Sequence, residues 1–152
     1  MRDLLIRPYQ SDDFEAVTSL WRRAREQALP EFQRTKGHTF EEDRVYFHDV
    51  ILVNNDVWVA AVGGEAAAFM AISGDLIDQL YVDPAHQRSG LGKALLDHAK
   101  SLSPDRLWLF TLQINTVARA FYEKNGFRIV KLGVSPPPES EPDVEYRWDA
   151  ME

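Results

Sequence analysis

The sequence predicts an α/β fold built on a mixed sheet, and three observations carry that reading. Apolar runs at residues 57–62, 66–73 and 76–82 are separated by turn residues and follow one another as an antiparallel meander. The run at 76–82 then leads through an amphipathic helix at 90–102 into another at 107–112, which makes a parallel, right-handed crossover. With 152 residues, 45% of them hydrophobic, the chain is expected to form a single domain over residues 1–152.

Taken in order, residues 4–7 before Pro8 read as a short strand, and Ser11, Asp12 and Asp13 supply a cap and an acidic first turn. Phe14, Val17, Trp21, Ala24 and Ala28 recur at helical spacing and stop near Pro30. Residues 31–38 are polar and irregular, a loop with Phe32 as its anchor. Thr39-Phe40-Glu41-Glu42 has the form of a capping box and starts a helix to about Leu52. Gly63-Gly64 marks a hairpin, and Gly74-Asp75 turns the chain into the stretch at 76–98. Residues 107–112 read as a buried strand, Gly126 as the left-handed cap of a helix over 117–125, and 127–130 as a strand. A proline-rich loop from Ser135 to Pro142 precedes a last strand at 144–148.

Composition removes several chemistries. With no cysteine there is neither a disulfide framework nor a cysteinyl intermediate, and four scattered histidines offer no metal-binding spacing. The N-terminal residues lack a long apolar region and no run reaches the roughly 18 residues of a membrane span, so a soluble, cytoplasmic protein is expected. The net charge of −7 is uneven: residues 1–85 sum to −7, 86–131 to +5 and 132–152 to −5. A basic island in an acidic chain suits a polyanionic small ligand beside a cationic acceptor and argues against nucleic-acid binding.

The island holds the most informative segment. In 90–102 the residues Leu91, Ala94, Leu95, Ala99 and Leu102 share a face that covers the sheet, so the helix start is fixed against the end of the preceding strand. Its free N–H groups form an anion site, with Gly90 and Gly92 removing side chains and Arg88 and Lys93 adding charge. No Gly-x-x-x-x-Gly-Lys-Ser/Thr loop, dinucleotide-fold fingerprint or Gly-x-Ser-x-Gly elbow is present.

Gln87-Arg88-Ser89-Gly90-Leu91-Gly92 resembles the pyrophosphate loop of the Gcn5-related N-acetyltransferase (GNAT) family, and Leu80-Tyr81-Val82-Asp83-Pro84 resembles the end of that family's fourth strand. The segment Asn115 to Phe127, with Ala118, Phe121, Tyr122 and Gly126, is similar to a second family motif. The resemblance implies a GNAT-type acyltransferase fold: a mixed, mostly antiparallel sheet of six to seven strands with about four helices, strands four and five parallel and splayed.

It further implies acetyl-coenzyme A as donor, held by Leu80, Tyr81, Val82, Gln87, Arg88, Ser89, Gly90, Leu91, Gly92, Lys93, Asn115, Ala118, Arg119, Phe121 and Tyr122, and no metal. An acetyl group would pass directly to a primary amine of a small molecule or peptide in a ternary complex. Tyr122 matches the family's acid, a phenol of ordinary pKa about 10 facing a thiolate whose conjugate acid lies near 8.5. Asn115 either orients the cofactor arm or caps a helix, and the Val82 N–H is the expected oxyanion donor. Where some peptide-acetylating members carry a glutamate, twelve residues before the tyrosine, this chain has Phe110. That departure leaves Asp78 as the candidate base, either catalytic or merely paired with a neighbouring group.

Trp21, Arg25, Phe32, Trp58 and Gln79 are candidates for the acceptor pocket. A non-catalytic acyl-coenzyme A sensor using the same loop is the alternative. A homodimer through the proline-rich loop and terminal strand is a further expectation.

Overall fold

Alternation of buried and exposed residues builds a seven-stranded sheet in the computed structural model, which describes residues 3–151. The strands are β1 (Leu4–Pro8), β2 (Asp56–Val62), β3 (Glu65–Ser73), β4 (Leu76–Val82), β5 (Arg106–Leu112), β6 (Arg128–Val134) and β7 (Pro142–Asp149), in the order β1-β2-β3-β4-β5-β7-β6. Every neighbouring pair is antiparallel except β4 and β5. The helices are α1 (Phe14–Ala28), α2 (Pro30–Lys36), α3 (Phe40–Tyr46), α4 (Leu91–Leu102) and α5 (Thr116–Lys124). A π-helical turn at Phe47–Ile51 and a last turn at Leu52–Asn54 prolong α3.

The meander, the crossover and the capping box stand as expected. Thr39 Oγ1 accepts the Glu42 N–H at 3.1 Å while the Glu42 carboxylate accepts the Thr39 N–H at 2.7 Å, meeting two free helix donors at once. Two expectations are corrected. The stretch 31–38 is mostly helix, because Pro30 sits at its first turn, where its fixed φ and missing N–H suit a helix start. The strand at 107–112 is buried on one face only: Leu107 and Leu109 lie in the core, whereas Phe110 is 50% exposed.

Two apolar layers flank the sheet. On one face α4 and α5 cover Met70, Ile77, Leu107, Leu109, Val144 and Tyr146, and on the other α1 and the π-turn cover Val59, Phe69 and Ala71. Burial at about 25 cal/mol per Å2 makes these layers the main source of stability. They leave uncovered the half of the second face formed by β5, β7 and β6.

Candidate active site

The central feature is a slot in the sheet. β4 and β5 stand in register only at Leu76 and Trp108. That end is pinned: Trp108 donates its N–H to the Asp75 carbonyl at 2.9 Å and its indole N–H to the Asp75 carboxylate at 2.8 Å. Beyond the pin the strands diverge. The Asp83 N–H is bonded to Ala67 O of β3 at 2.8 Å, so by strand alternation the Leu80 and Val82 N–H groups point the other way, into the slot. A sheet interior thus contains an unpaired edge.

At one mouth of the slot lies the glycine loop. Gly90 adopts φ +83° at the start of α4, a conformation that favours glycine. Gly92 has another duty: a Cβ there would come within 3.0 Å of the Phe121 ring, so its bareness lets α4 and α5 pack. Gln87 donates to the Val82 carbonyl at 3.5 Å, and Ser89 Oγ to the His86 carbonyl. Arg88 is exposed with φ +64°. Lys93 is tied to Asp97 at 2.8 Å, and Arg119 spans to the Tyr146 hydroxyl at 3.2 Å and the Gln113 carbonyl at 3.3 Å. Asn115 caps α5, accepting the Ala118 N–H at 3.2 Å, and it also borders the cleft described next.

Tyr122 lies in the core layer among Phe121, Phe127 and Tyr146, and among the described residues no group hydrogen-bonds its hydroxyl. Burial, and then the nearby Tyr81 phenol, push its pKa far above the ordinary value, so it is protonated throughout the neutral range. Tyr81 is raised by burial as well, against the lowering influence of Arg25.

At the other mouth is a cleft of about 640 Å3. Its walls bring together Arg25 and Phe32 from the first helices, Asp78 and Gln79 from β4, Phe110 from β5, and Glu145 and Asp143 from β7. Asp78 is the extra residue of a β-bulge, since β3 pairs Ala71 with Gln79 and Ile72 with Ile77. Its carboxylate accepts from the Asn55 amide at 3.1 Å, while Arg25 is held by the nearly buried Asp43 carboxylate at 2.5 Å. Tyr46 and Tyr81 both feel Asp78 and Glu139, so these two acids converge on one region.

Two expected wall residues are elsewhere. Trp21 is buried beneath, with the Arg25 guanidinium 4.0 Å from its ring centre; its apolar bulk belongs to the core. Trp58 lies on the opposite face, its ring 4.3 Å from that of His98, because its place in the alternation of β2 points it toward α4. Asp143, Glu145 and Glu139 were not singled out from the sequence. For Asp143 and Glu145 the signal was the register of β7 against β5, which places Glu145 opposite Phe110 and Asp143 opposite Leu112 on the cleft face, while Glu139 comes from the proline-rich loop before β7.

Residues 53–129, which span the slot, both its strands and the glycine loop, match the family model for the acetyltransferase (GNAT) domain. The chain belongs to this family. It is an N-acetyltransferase, and its relatives give no support to a non-catalytic sensor. Among those relatives is the peptidyl-lysine N-acetyltransferase YjaB of Salmonella typhimurium, 31% identical over 125 residues, covering 82% of this chain and 83% of the relative. The solution structure of apo-form YjaB from Escherichia coli superposes with a TM-score of 0.77 at 26% identity, covering 96% of this chain and 97% of that one. The PaiA N-acetyltransferase from Thermoplasma acidophilum, solved in complex with coenzyme A, shares the fold: TM-score 0.69, 17% identity, coverage 97% and 99%. GNAT enzymes take the acetyl group from acetyl-coenzyme A, and the acceptor is an amine of a peptide or small molecule. Among the described residues no helix is long and apolar enough to cross a membrane.

Proposed function

We propose that the chain acetylates the side-chain amine of a lysine in a peptide, with acetyl-coenzyme A entering at the glycine loop and the peptide at the acidic cleft. One observation carries the reading: the strands that part beyond Leu76 and Trp108 leave a slot with the glycine-led start of α4 near one end and a cleft bordered by four carboxylates at the other. The similarity to peptidyl-lysine acetyltransferases supports the choice of acceptor.

Acetyl-coenzyme A supplies an activated acetyl thioester. The amides of residues 87–93 would hold its pyrophosphate, and the open edge at Leu80 and Val82 would hold its amide-bearing arm as an added strand. The slot-facing Val82 N–H is placed to receive developing negative charge on the carbonyl oxygen. Asp78, on its bulge at the cleft side, takes the proton from the attacking amine, directly or through water. Tyr122 delivers a proton to the departing sulfur; its raised pKa keeps the proton in place until negative charge forms beside it.

The test is coenzyme A release with lysine peptides. Tyr122→Phe should lower kcat by roughly 100- to 10,000-fold with little change in cofactor affinity; undiminished turnover would remove Tyr122 from the acid role. Asp78→Asn should lower kcat most at low pH, where an amine most needs a base.

A further inference from the structure

Four aspartates of the described chain are at least nine-tenths buried, and they are not treated alike. Asp13 is bonded to Arg7 at 2.8 Å, Asp43 to Arg22 at 2.8 Å and Arg25 at 2.5 Å, and Asp83 to Arg23 at 2.7 Å. Asp143 is only 8% exposed, yet among the described residues no hydrogen bond or ion pair reaches its carboxylate. The other three aspartates are paired with arginine, whereas the Asp143 carboxylate has the cleft in front of it and no side-chain partner among the described residues.

The cleft explains where a partner comes from. Asp143 borders it, two residues along β7 from Glu145, and both face the same way. Room for the carboxylate is built in: the residue opposite on β6 is Gly133, where a Cβ would stand 3.2 Å from Asp143 Oδ1. Asp78, Glu139 and Glu145 add negative charge along the walls, while Arg25 is occupied by Asp43 and Lys131 is the other cationic wall residue.

We propose that Asp143 is the seat of a second positive charge on the acceptor: a basic side chain close to the target lysine of the peptide. The proposal rests on the acetyl-transfer reading and narrows it from lysine peptides to lysines with a basic neighbour. Asp143 is then a specificity residue, forming a charge-assisted hydrogen bond to the incoming cation that replaces the missing arginine. No bond is made or broken at this position.

The experiment compares two peptides alike except that the target lysine is flanked by arginine in one and by glutamine in the other. Wild type should prefer the arginine peptide by roughly ten- to hundredfold in KM, with similar kcat. Asp143→Asn, nearly isosteric, should erase that preference by raising KM for the arginine peptide alone. Gly133→Ala, which displaces the carboxylate while keeping it, should reduce the preference in the same direction. Equal KM values in wild type, or an Asp143→Asn effect of the same size on both peptides, would overturn the assignment.

Binding of both peptides to the coenzyme A complex, followed by calorimetry, separates this proposal from the one beneath it. An Asp143-dependent preference in binding without turnover would retain the seat and remove lysine acetylation. Turnover without any charge preference would do the reverse. Diaminopentane carries two charges without a peptide chain, and we expect it to be a poor substrate. Acetylation of diaminopentane at the KM of the arginine peptide would make the acceptor a free diamine and overturn the peptide assignment.

Discussion

The strands β5 and β7 carry two faces made by alternate residues of the same short segments, and the faces serve opposite ends. Leu107, Leu109, Val144 and Tyr146 are closed over by α4 and α5, with almost no exposure. One residue away in each case, Phe110, Glu145 and Asp143 border open space. Filling makes the first face a foundation, and the gap left on the second makes it the proposed receptor. A sheet can afford the gap only because the other face is packed so fully.

The largest effects should separate the two faces. Leu109→Ala is expected to cost about 2–5 kcal/mol in urea unfolding, through lost transfer energy and the cavity left behind. Phe110→Ala, its half-exposed neighbour, should cost under about 1 kcal/mol while raising acceptor KM, since it removes a wall rather than a foundation. Equal losses from both would abolish the distinction.

Charge on the receptor side can be divided in the same way. Asp43 is 2% exposed and holds two arginines, so Asp43→Ala should cost about 3–5 kcal/mol and release Arg25 at the cleft wall. Urea midpoints with and without peptide check both parts. On the foundation side, Gly92→Ala should cost about 1–2 kcal/mol by pressing on Phe121, and should weaken coenzyme A binding by tilting α4 against α5. An unchanged melting temperature would mean that Phe121 can move aside.

The smallest effect concerns pH. The Arg7 hydrogen bond holds the Asp13 carboxyl below its ordinary pKa. The pair therefore stabilises the fold above the unfolded-state pKa of about 3.9, and the contribution disappears as pH falls through the lower folded value. Asp13→Asn should flatten the acid limb of the stability curve, which urea unfolding at a series of acid pH values would show.

This contrast also accounts for what was legible in the chain. The foundation announces itself through period: Leu91, Leu95 and Ala99 along α4, alternate residues along the strands, and the glycine loop between them. The cleft has no period of its own, because its members come from six elements and a loop and meet only in the folded chain. Phe110 looked like one more core residue in an apolar run, and Asp143 and Glu145 like ordinary acids in a polar tail. Tyr122 and Asp78 stood out in the sequence because a motif or a solitary carboxylate drew attention to them. Trp58 was misplaced by the same blindness, since its face follows from the register of β2.

The unpaired edge within the slot has a kinetic signature. Amide hydrogens in the middle of a sheet normally exchange slowly with solvent, because each is sealed in a ladder. Leu80 and Val82 should break that pattern and exchange quickly, while Tyr81 and Asp83, bonded toward β3, remain protected. Deuterium uptake along β4 would alternate residue by residue, and addition of coenzyme A should silence the fast positions. The same edge that invites a donor molecule would then report its arrival.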